Sequence, residues 1–395
     1  MNASATADIL TRTKSIEPWM IEIRRRLHQT PELLYELRET TKTVQAELDK
    51  LGVKYEAGIA QTGIVATIGN DSSRCVALRA DMDALPIHEE ADVDFRSQTE
   101  GKMHACGHDC HTSMLLGAAK ILKEMESDLN GTVKLFFQPA EEGGAGAKQM
   151  CDAGAMSNPK VEKVFAIHVW PMLPSGQLTS RPGSFLASTS SFKIKVTGKG
   201  GHAAMPHLSI DPVTTASKIV LEAQTLVSRE QDPLEACVIS FTTIHGGSIY
   251  NVIPESVELM GTIRSLSSDN KDHLKKRLTE VAEGIASVNR CTATVEFDGI
   301  DYPATSNDPE LFKEIFAMGE SIVGSGNFPI CSPVMGGEDF AFYGDHAPTC
   351  FVAVGSRNEG EGCIYGLHHP KFKADESIFH IGTAMHVAFA LENVG

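Results

Sequence analysis

Residues 134–144 read KLFFQPAEEGG, and the rest of the chain is organised around what this stretch implies. The apolar run at 133–137 suits a short buried strand. Pro139 breaks it, Glu141 and Glu142 follow at once, and Gly143 and Gly144 allow a tight turn into a small-residue helix around 144–155. Strands that alternate with helices build parallel sheets. Ligands of such open sheets bind beyond the carboxyl ends of the strands, and the two glutamates fall there. Adjacent carboxylates can divide labour, one ligating a metal while the other takes a proton from water.

The same pattern extends in both directions. Apolar runs at 64–68, 76–80 and 164–169 read as further strands. Val44, Leu48 and Leu51 mark one helix, stopped by Gly52, and Met114, Leu115, Ala118, Ile121, Leu122 and Met125 mark another. Near residue 183 the pattern changes. Residues 191–197 (SFKIKVT) alternate polar and apolar, a helix is expected over 211–228 with Pro212 in its first turn, and strands follow at 237–245 and 256–264. A helix at 269–287 and a strand at 292–297 complete the β-α-β-β-α-β order of a ferredoxin-like domain. Helices at 309–322 and 375–391 resume the first pattern. The expected fold is an α/β catalytic domain with a mostly parallel sheet flanked by helices, built from residues 1–182 and 299–395. A ferredoxin-like α+β domain at 183–298 interrupts it.

Composition narrows the function. The 395 residues carry 35 Lys and Arg against 51 Asp and Glu, a formal charge of −16. That balance excludes a basic footprint for nucleic acid or an anionic membrane. There is no apolar stretch of ~18 residues for a membrane span, and the first 30 residues lack a secretory signal pattern. The nine cysteines are odd in number and scattered, which suits reduced thiols or metal ligands. A cytoplasmic protein of about two domains is expected.

The densest chemistry lies at 102–112, KMHACGHDCHT, where His104, Cys106, His108, Asp109, Cys110 and His111 fall within eight positions. Thiolate and imidazole ligate borderline-soft divalent metals. His168 lies at the end of an apolar run, and His368 and His369 lie in a late loop (GLHHP). Asp81 and Asp83 follow another strand, where an acid commonly orients a ligating histidine. Gly144-Ala145-Gly146 imitates a dinucleotide turn, but Gln149 holds the third glycine position and the paired acids would repel a pyrophosphate. Cys106 as a nucleophile would leave Glu141, Glu142 and most of the histidines idle. In the inserted domain His202 follows a glycine run, and Asn251 and Arg264 add donors suited to an oxyanion and a carboxylate.

Taken in order, RRRLHQTPEL, VALRADMDALPI, GKMHACGHDCHT, FFQPAEEGGAGA, GKGGHAAMPH, YNVIPESVELMGTIRS, MGGEDFAFY and GLHHPKF cover nearly the whole chain. In these motifs the sequence resembles the metal-dependent amidohydrolases related to aminoacylase and carboxypeptidase-type metallopeptidases, in the branch of hippurate hydrolases and auxin-conjugate (indole-3-acetyl-amino acid) hydrolases. The resemblance implies two divalent metal ions, zinc or manganese, liganded by Cys106, His108, Glu142, His168 and His368. It makes Glu141 the general base and Asp83 the group that orients a ligand. It implies that the inserted domain is a lid that also forms a homodimer, with His202, Asn251 and Arg264 contacting substrate, some of them in the neighbouring subunit's site. The implied reaction is hydrolysis of a small-molecule N-acyl amino acid, with a dipeptidase or carboxypeptidase-like activity on the same site as the alternative. More distant branches carry a histidine where Asp81 stands. Cys110 replaces a common small residue, and LYELRET replaces a more acidic stretch near Glu36. The chain ends in ENVG, without the retention tetrapeptide of some plant members.

Overall fold

The computed structural model describes residues 3–70 and 74–395. Its chain divides into two compact units, one of residues 1–183, 306–332 and 339–395, the other of 184–305 and 333–338.

The first unit is built on a seven-stranded sheet in the order Lys54–Ile59, Gly63–Gly69, Thr132–Gln138, Cys75–Asp81, Lys163–Pro174, Thr349–Arg357 and Leu178–Thr179. The four strands from Thr132–Gln138 to Thr349–Arg357 are mutually parallel. Every residue of Thr132–Gln138 and Cys75–Asp81 is buried, as expected when helices cover both faces. Residues 64–68 depart from the parallel expectation. Their strand pairs antiparallel with Thr132–Gln138 on one side and with Lys54–Ile59 on the other. A turn in which Ala60 and Gln61 take left-handed backbone angles joins this strand to the edge strand Lys54–Ile59, and so short a connection permits only an antiparallel pair.

Helix His108–Glu124 is buried along almost its whole length and packs against helices Glu17–Gln29 and Phe379–Val394. A buried polar network crosses this packing. Arg24 Nε donates to Asp109 Oδ2 at 2.7 Å and Nη1 to Glu376 Oε1 at 3.1 Å. His28 sets Nδ1 2.7 Å from the same Asp109 oxygen and Nε2 3.0 Å from Glu89 Oε1. Burial and Arg24 oppose a charge on His28, but Asp109 and Glu89 outweigh them and raise its pKa. A raised folded-state pKa stabilises fully below the unfolded value of about 6.5, and that contribution fades as pH climbs through the folded value. The stability gap between the wild type and His28→Gln, measured by urea unfolding, should therefore shrink from pH 6 to pH 9. A gap that widens with pH would contradict this assignment.

The second unit is the ferredoxin-like one. Its antiparallel sheet runs Cys237–His245, Ser256–Ser265, Ser188–Thr197, Thr292–Tyr302, and helices Pro212–Thr225 and Ser268–Val288 pack on it. Strand Ser188–Thr197 buries alternate residues, the mark of a sheet with one covered face. Asp211 caps the first helix by accepting from the Val213 and Thr214 amides, and Ser267 caps the second by accepting from the Asn270 amide. The last strand continues to Tyr302, past residue 298. Residues 333–338 associate with this unit through backbone pairing, the Val334 amide donating to Phe185 O and the Ala187 amide to Gly336 O. Among the described residues no helix is long and apolar enough to cross a membrane.

Candidate metal centre

Three parallel strands deliver the first side chains to one edge of the sheet in the first unit. Arg79 lies opposite Ala166 in the register, which brings Asp81 level with His168. His168 stands mid-strand in Lys163–Pro174 rather than at a strand end: on one side Cys75–Asp81 stops level with it, while on the other Thr349–Arg357 pairs on past it. Past Gln138 the chain turns sharply through Ala140, in a left-handed conformation, and places Glu141 and Glu142 over the sheet edge. A Cβ on Gly146 would lie 1.7 Å from the Pro139 carbonyl, so only glycine lets the following helix start there. Cys106 and His108 flank Gly107, which has φ +85° and would drive a Cβ to 2.4 Å from Val169 Cγ2. His368 also has a left-handed backbone, φ 62°, and its amide donates to the Ala105 carbonyl at 2.8 Å, tying the late loop to the Cys106 loop.

These segments converge. Cys106 Sγ lies 3.5 Å from His168 Nε2. Glu142 Oε1 is 3.2 Å from His368 Nε2 and 3.9 Å from His108 Nε2. The ligand atoms of Cys106, Glu142 and His368 form one group within 4.8 Å, those of His108, Glu141 and Glu142 form a second, and Glu142 belongs to both. Asp83 pins this arrangement from beneath. Its two oxygens accept from the Glu141 and Glu142 amides at 3.0 and 3.1 Å, and Oδ1 lies 3.4 Å from His108 Nδ1. Burial raises the Asp83 pKa, against the pull of His108.

The donor set fits two divalent cations. Both ring nitrogens of His108 are buried without a well-formed hydrogen bond, while Asp81, Asp83 and Glu142 stand 3.4–3.9 Å away. A buried polar atom left that way calls for a partner, and mixed thiolate, imidazole and carboxylate donors suit first-row divalent ions. In the metal-free protein burial opposes a charge on His108, but the three carboxylates prevail and raise its pKa to about 10. A ligating imidazole must be neutral, so loading at pH 7 must expel this proton. Calorimetric titration with zinc in buffers of different ionisation enthalpy should register that release, and it should vanish as pH passes about 10. A pH-independent affinity between 6 and 9 would overturn the assignment.

Around the ligands stand the other residues of the 102–112 cluster, Asp81, and two whose roles the sequence does not signal, Arg79 and Tyr35. His111 lies within 4.8 Å of Asp81, His108 and His168, yet both its nitrogens are engaged. Nδ1 is 2.6 Å from Asp81 Oδ1, and Nε2 accepts from the Val169 amide at 2.9 Å. Burial lowers its pKa, in keeping with a neutral ring that orients rather than ligates. Asp81 is fixed from the other side by Arg79 Nη1 at 2.8 Å. Tyr35, inside LYELRET, donates from Oη to the Gly144 carbonyl at 2.6 Å and latches the glutamate loop, while burial, then Asp339 and Asp83, push its pKa to about 12. His104 is buried and driven to about 3, so it stays neutral. Cys110 packs into the hydrophobic core, where burial and Asp109 hold its thiol well above the ordinary range.

His202, Asn251 and Arg264 belong to the second unit. A two-stranded ribbon, Gly201–His202 against Val252–Ile253, brings the first two together, and the Ala203 amide donates to the Asn251 carbonyl at 3.0 Å. Both side chains are exposed. The ribbon precedes Ser256, and Arg264 lies eight residues along strand Ser256–Ser265 from Ser256, about 26 Å at 3.3 Å per residue. It is half-buried, which lowers its pKa, and its Nε donates to Thr262 Oγ1 at 3.2 Å. The ribbon and Arg264 thus stand at opposite ends of this strand.

Residues 77–392 match the model of peptidase family M20/M25/M40. The chain is 45% identical over 384 residues to the IAA-amino acid hydrolase ILR1-like 4 of Arabidopsis thaliana, covering 96% of this chain and 87% of the relative. It is 42% identical over 383 residues to thermostable carboxypeptidase 2 of Saccharolobus solfataricus, covering 96% of each. The crystal structure of the Bacillus subtilis YXEP protein, described as a dinuclear metal-binding peptidase, superposes with a TM-score of 0.82 at 32% identity, over 96% of this chain and all of that one. Overlapping ligand groups that share Glu142, presented at the edge of a parallel sheet, are thus found in a chain whose sequence and fold match the same lineage along nearly all their length. It is a hydrolase with a site for two metal ions, and it belongs to peptidase family M20/M25/M40.

Proposed function

We propose that the protein hydrolyses the amide bond of N-acyl amino acids of the acetyl, benzoyl or indole-3-acetyl type, giving a carboxylic acid and a free amino acid. The observation that carries this reading is the placing of Glu141 in a ligand group with His108 and Glu142, while Glu142 also belongs to the group of Cys106 and His368. Cys106, His108, Glu142, His168 and His368 would hold the two divalent ions, zinc or manganese, which supply Lewis acidity toward the acyl oxygen and an acidified water. Glu141 takes the water's proton and returns it to the leaving nitrogen. Asp83 holds the Glu141–Glu142 backbone and His108 in register. His202 stabilises the tetrahedral oxyanion, and Asn251 and Arg264 hold the amino acid's carboxylate.

The wide spacing of Asn251 and Arg264 favours a homodimer in which each site draws on two copies of the second unit. Strand Cys237–His245 ends its sheet, and an edge of that kind calls for cover that a two-fold partner provides. Sedimentation at micromolar concentration should give a dimer; a monomer with full activity would exclude action across subunits. All nine cysteines are free, which favours a reducing compartment such as the cytoplasm.

The direct test assays metal-loaded protein against acetyl, benzoyl and indole-3-acetyl amino acids before and after chelation. Chelation should abolish turnover, and zinc or manganese should restore it. Unimpaired turnover in chelator would refute the reading. The 42% identity to a carboxypeptidase supports a second reading, peptide hydrolysis at the same site. Preference for unblocked dipeptides over acyl amino acids in the same panel would favour it.

A further inference from the structure

We propose that Asp339 is the positioning residue for Glu141, setting the direction in which the general base points; this rests on the base role proposed for Glu141. Asp339 is fully buried and opens the 3-10 turn Asp339–Asp345. Its backbone amide donates to Glu141 Oε1 at 3.4 Å. That bond is long, and what gives it direction is the immobility of the donor.

The Asp339 carboxylate is held from three sides. Gln138 Nε2 donates to both oxygens, at 2.8 and 2.9 Å. Arg79 Nη2 donates to Oδ1 at 3.0 Å, and the Ala147 amide to Oδ2 at 2.9 Å. Gln138 and Ala147 bracket the loop that carries Glu141, so Asp339 and that loop are tied to the same two points of the chain. Arg79 closes the frame, donating from Nε to Gln138 Oε1 at 2.9 Å and from Nη1 to Asp81 Oδ2 at 2.8 Å. Two buried carboxylates, Asp81 and Asp339, thereby share one buried guanidinium, which makes the frame costly to distort.

A glutamate needs this aiming. Its terminal torsion is broad and roughly two-fold, and a general base must come within about 2.6–3.2 Å of the proton it takes. Displacement of a reacting group by about 1 Å costs about 100-fold in rate.

Asp339→Asn replaces an oxygen that accepts from fixed donors with an amide nitrogen that cannot. The expected result is a kcat about 100-fold below wild type, with KM within about two-fold of wild type and two metal ions retained per chain. The same substitution in a Glu141→Asp background, whose carboxylate is one methylene shorter and no longer reaches the Asp339 amide, should add almost nothing, because the coupling is already cut. A role in overall folding would instead lower metal content and lose the same factor in both backgrounds, and that outcome would overturn the proposal. Near-normal kcat in Asp339→Asn beside a disabled Glu141→Gln would also overturn it while leaving the base role intact. Near-normal kcat in Glu141→Gln would instead remove the base role on which it rests. If Asp339→Asn does not fold, Gln138→Met removes two of the bonds to Asp339 at similar volume and no change of charge. It should reproduce the kcat-only loss at about ten-fold and the same lack of effect beside Glu141→Asp.

Discussion

Glu141→Gln should lower kcat by about a thousand-fold, inside the 10²–10⁴ range of a lost general base, while the protein keeps both metal ions. Glutamine matches glutamate in shape and can still accept from the Asp339 amide. Asp83 holds residues 141 and 142 through their backbone amides, which the substitution does not touch. Glu142, which both ligand groups share, is unchanged. What the amide cannot do is carry a proton from water to the leaving nitrogen, so the loss should fall on kcat with little change in KM. Steady-state kinetics on an acyl amino acid, paired with metal analysis of the same preparation, checks this. More than a tenth of wild-type turnover at full metal occupancy would sink the proposed mechanism.

The second large effect concerns stability. Arg24→Met should cost about 3–5 kcal/mol, because it removes the buried guanidinium from Asp109 and leaves that carboxylate to His28 alone. Arg24 and Asp109 are both almost wholly inaccessible, their side chains 2% and 0% exposed, and Asp109 lies far below the usual carboxylate range because Arg24 and His28 outweigh its burial. Arg25 is the internal comparison. It pairs with the same Glu376 at 2.6 Å and packs its guanidinium over the same Phe95 ring, but its side chain is 48% exposed. Arg25→Ala should cost no more than about 1 kcal/mol, as exposed pairs do. Urea unfolding of the two variants side by side decides the matter: equal losses would show that burial is not what gives the Arg24 pair its weight.

Much of the architecture is legible in the chain because apolar periodicity is a local signal. Runs such as 76–80 and 164–169 fall inside observed strands, and the alternation at 191–197 falls inside Ser188–Thr197. Lys54–Ile59 escaped notice for the converse reason: it is an edge strand, largely exposed, and carries no apolar run. The proposed ligands were legible because Cys, His and paired Glu stand out as types. Their supports were not. Arg79 reads as an interruption in an apolar strand, and nothing near it signals that its guanidinium meets Asp339, 260 positions later. Tyr35 likewise reads as one aromatic in a loop until its hydroxyl is seen on the Gly144 carbonyl. Side chains that act by holding others have no spacing of their own to betray them.

The bond from the His368 amide to the Ala105 carbonyl has a consequence for how the protein is made. The proposed ligands emerge from the ribosome in the order Cys106, His108, Glu142, His168 and, after the entire second unit, His368. At about 5–20 residues per second the nascent chain lacks its last proposed ligand for roughly ten seconds or more after His168 has been made. Closure of the centre is therefore a late event in biogenesis, and an ion captured early is held by fewer donors than the finished enzyme provides.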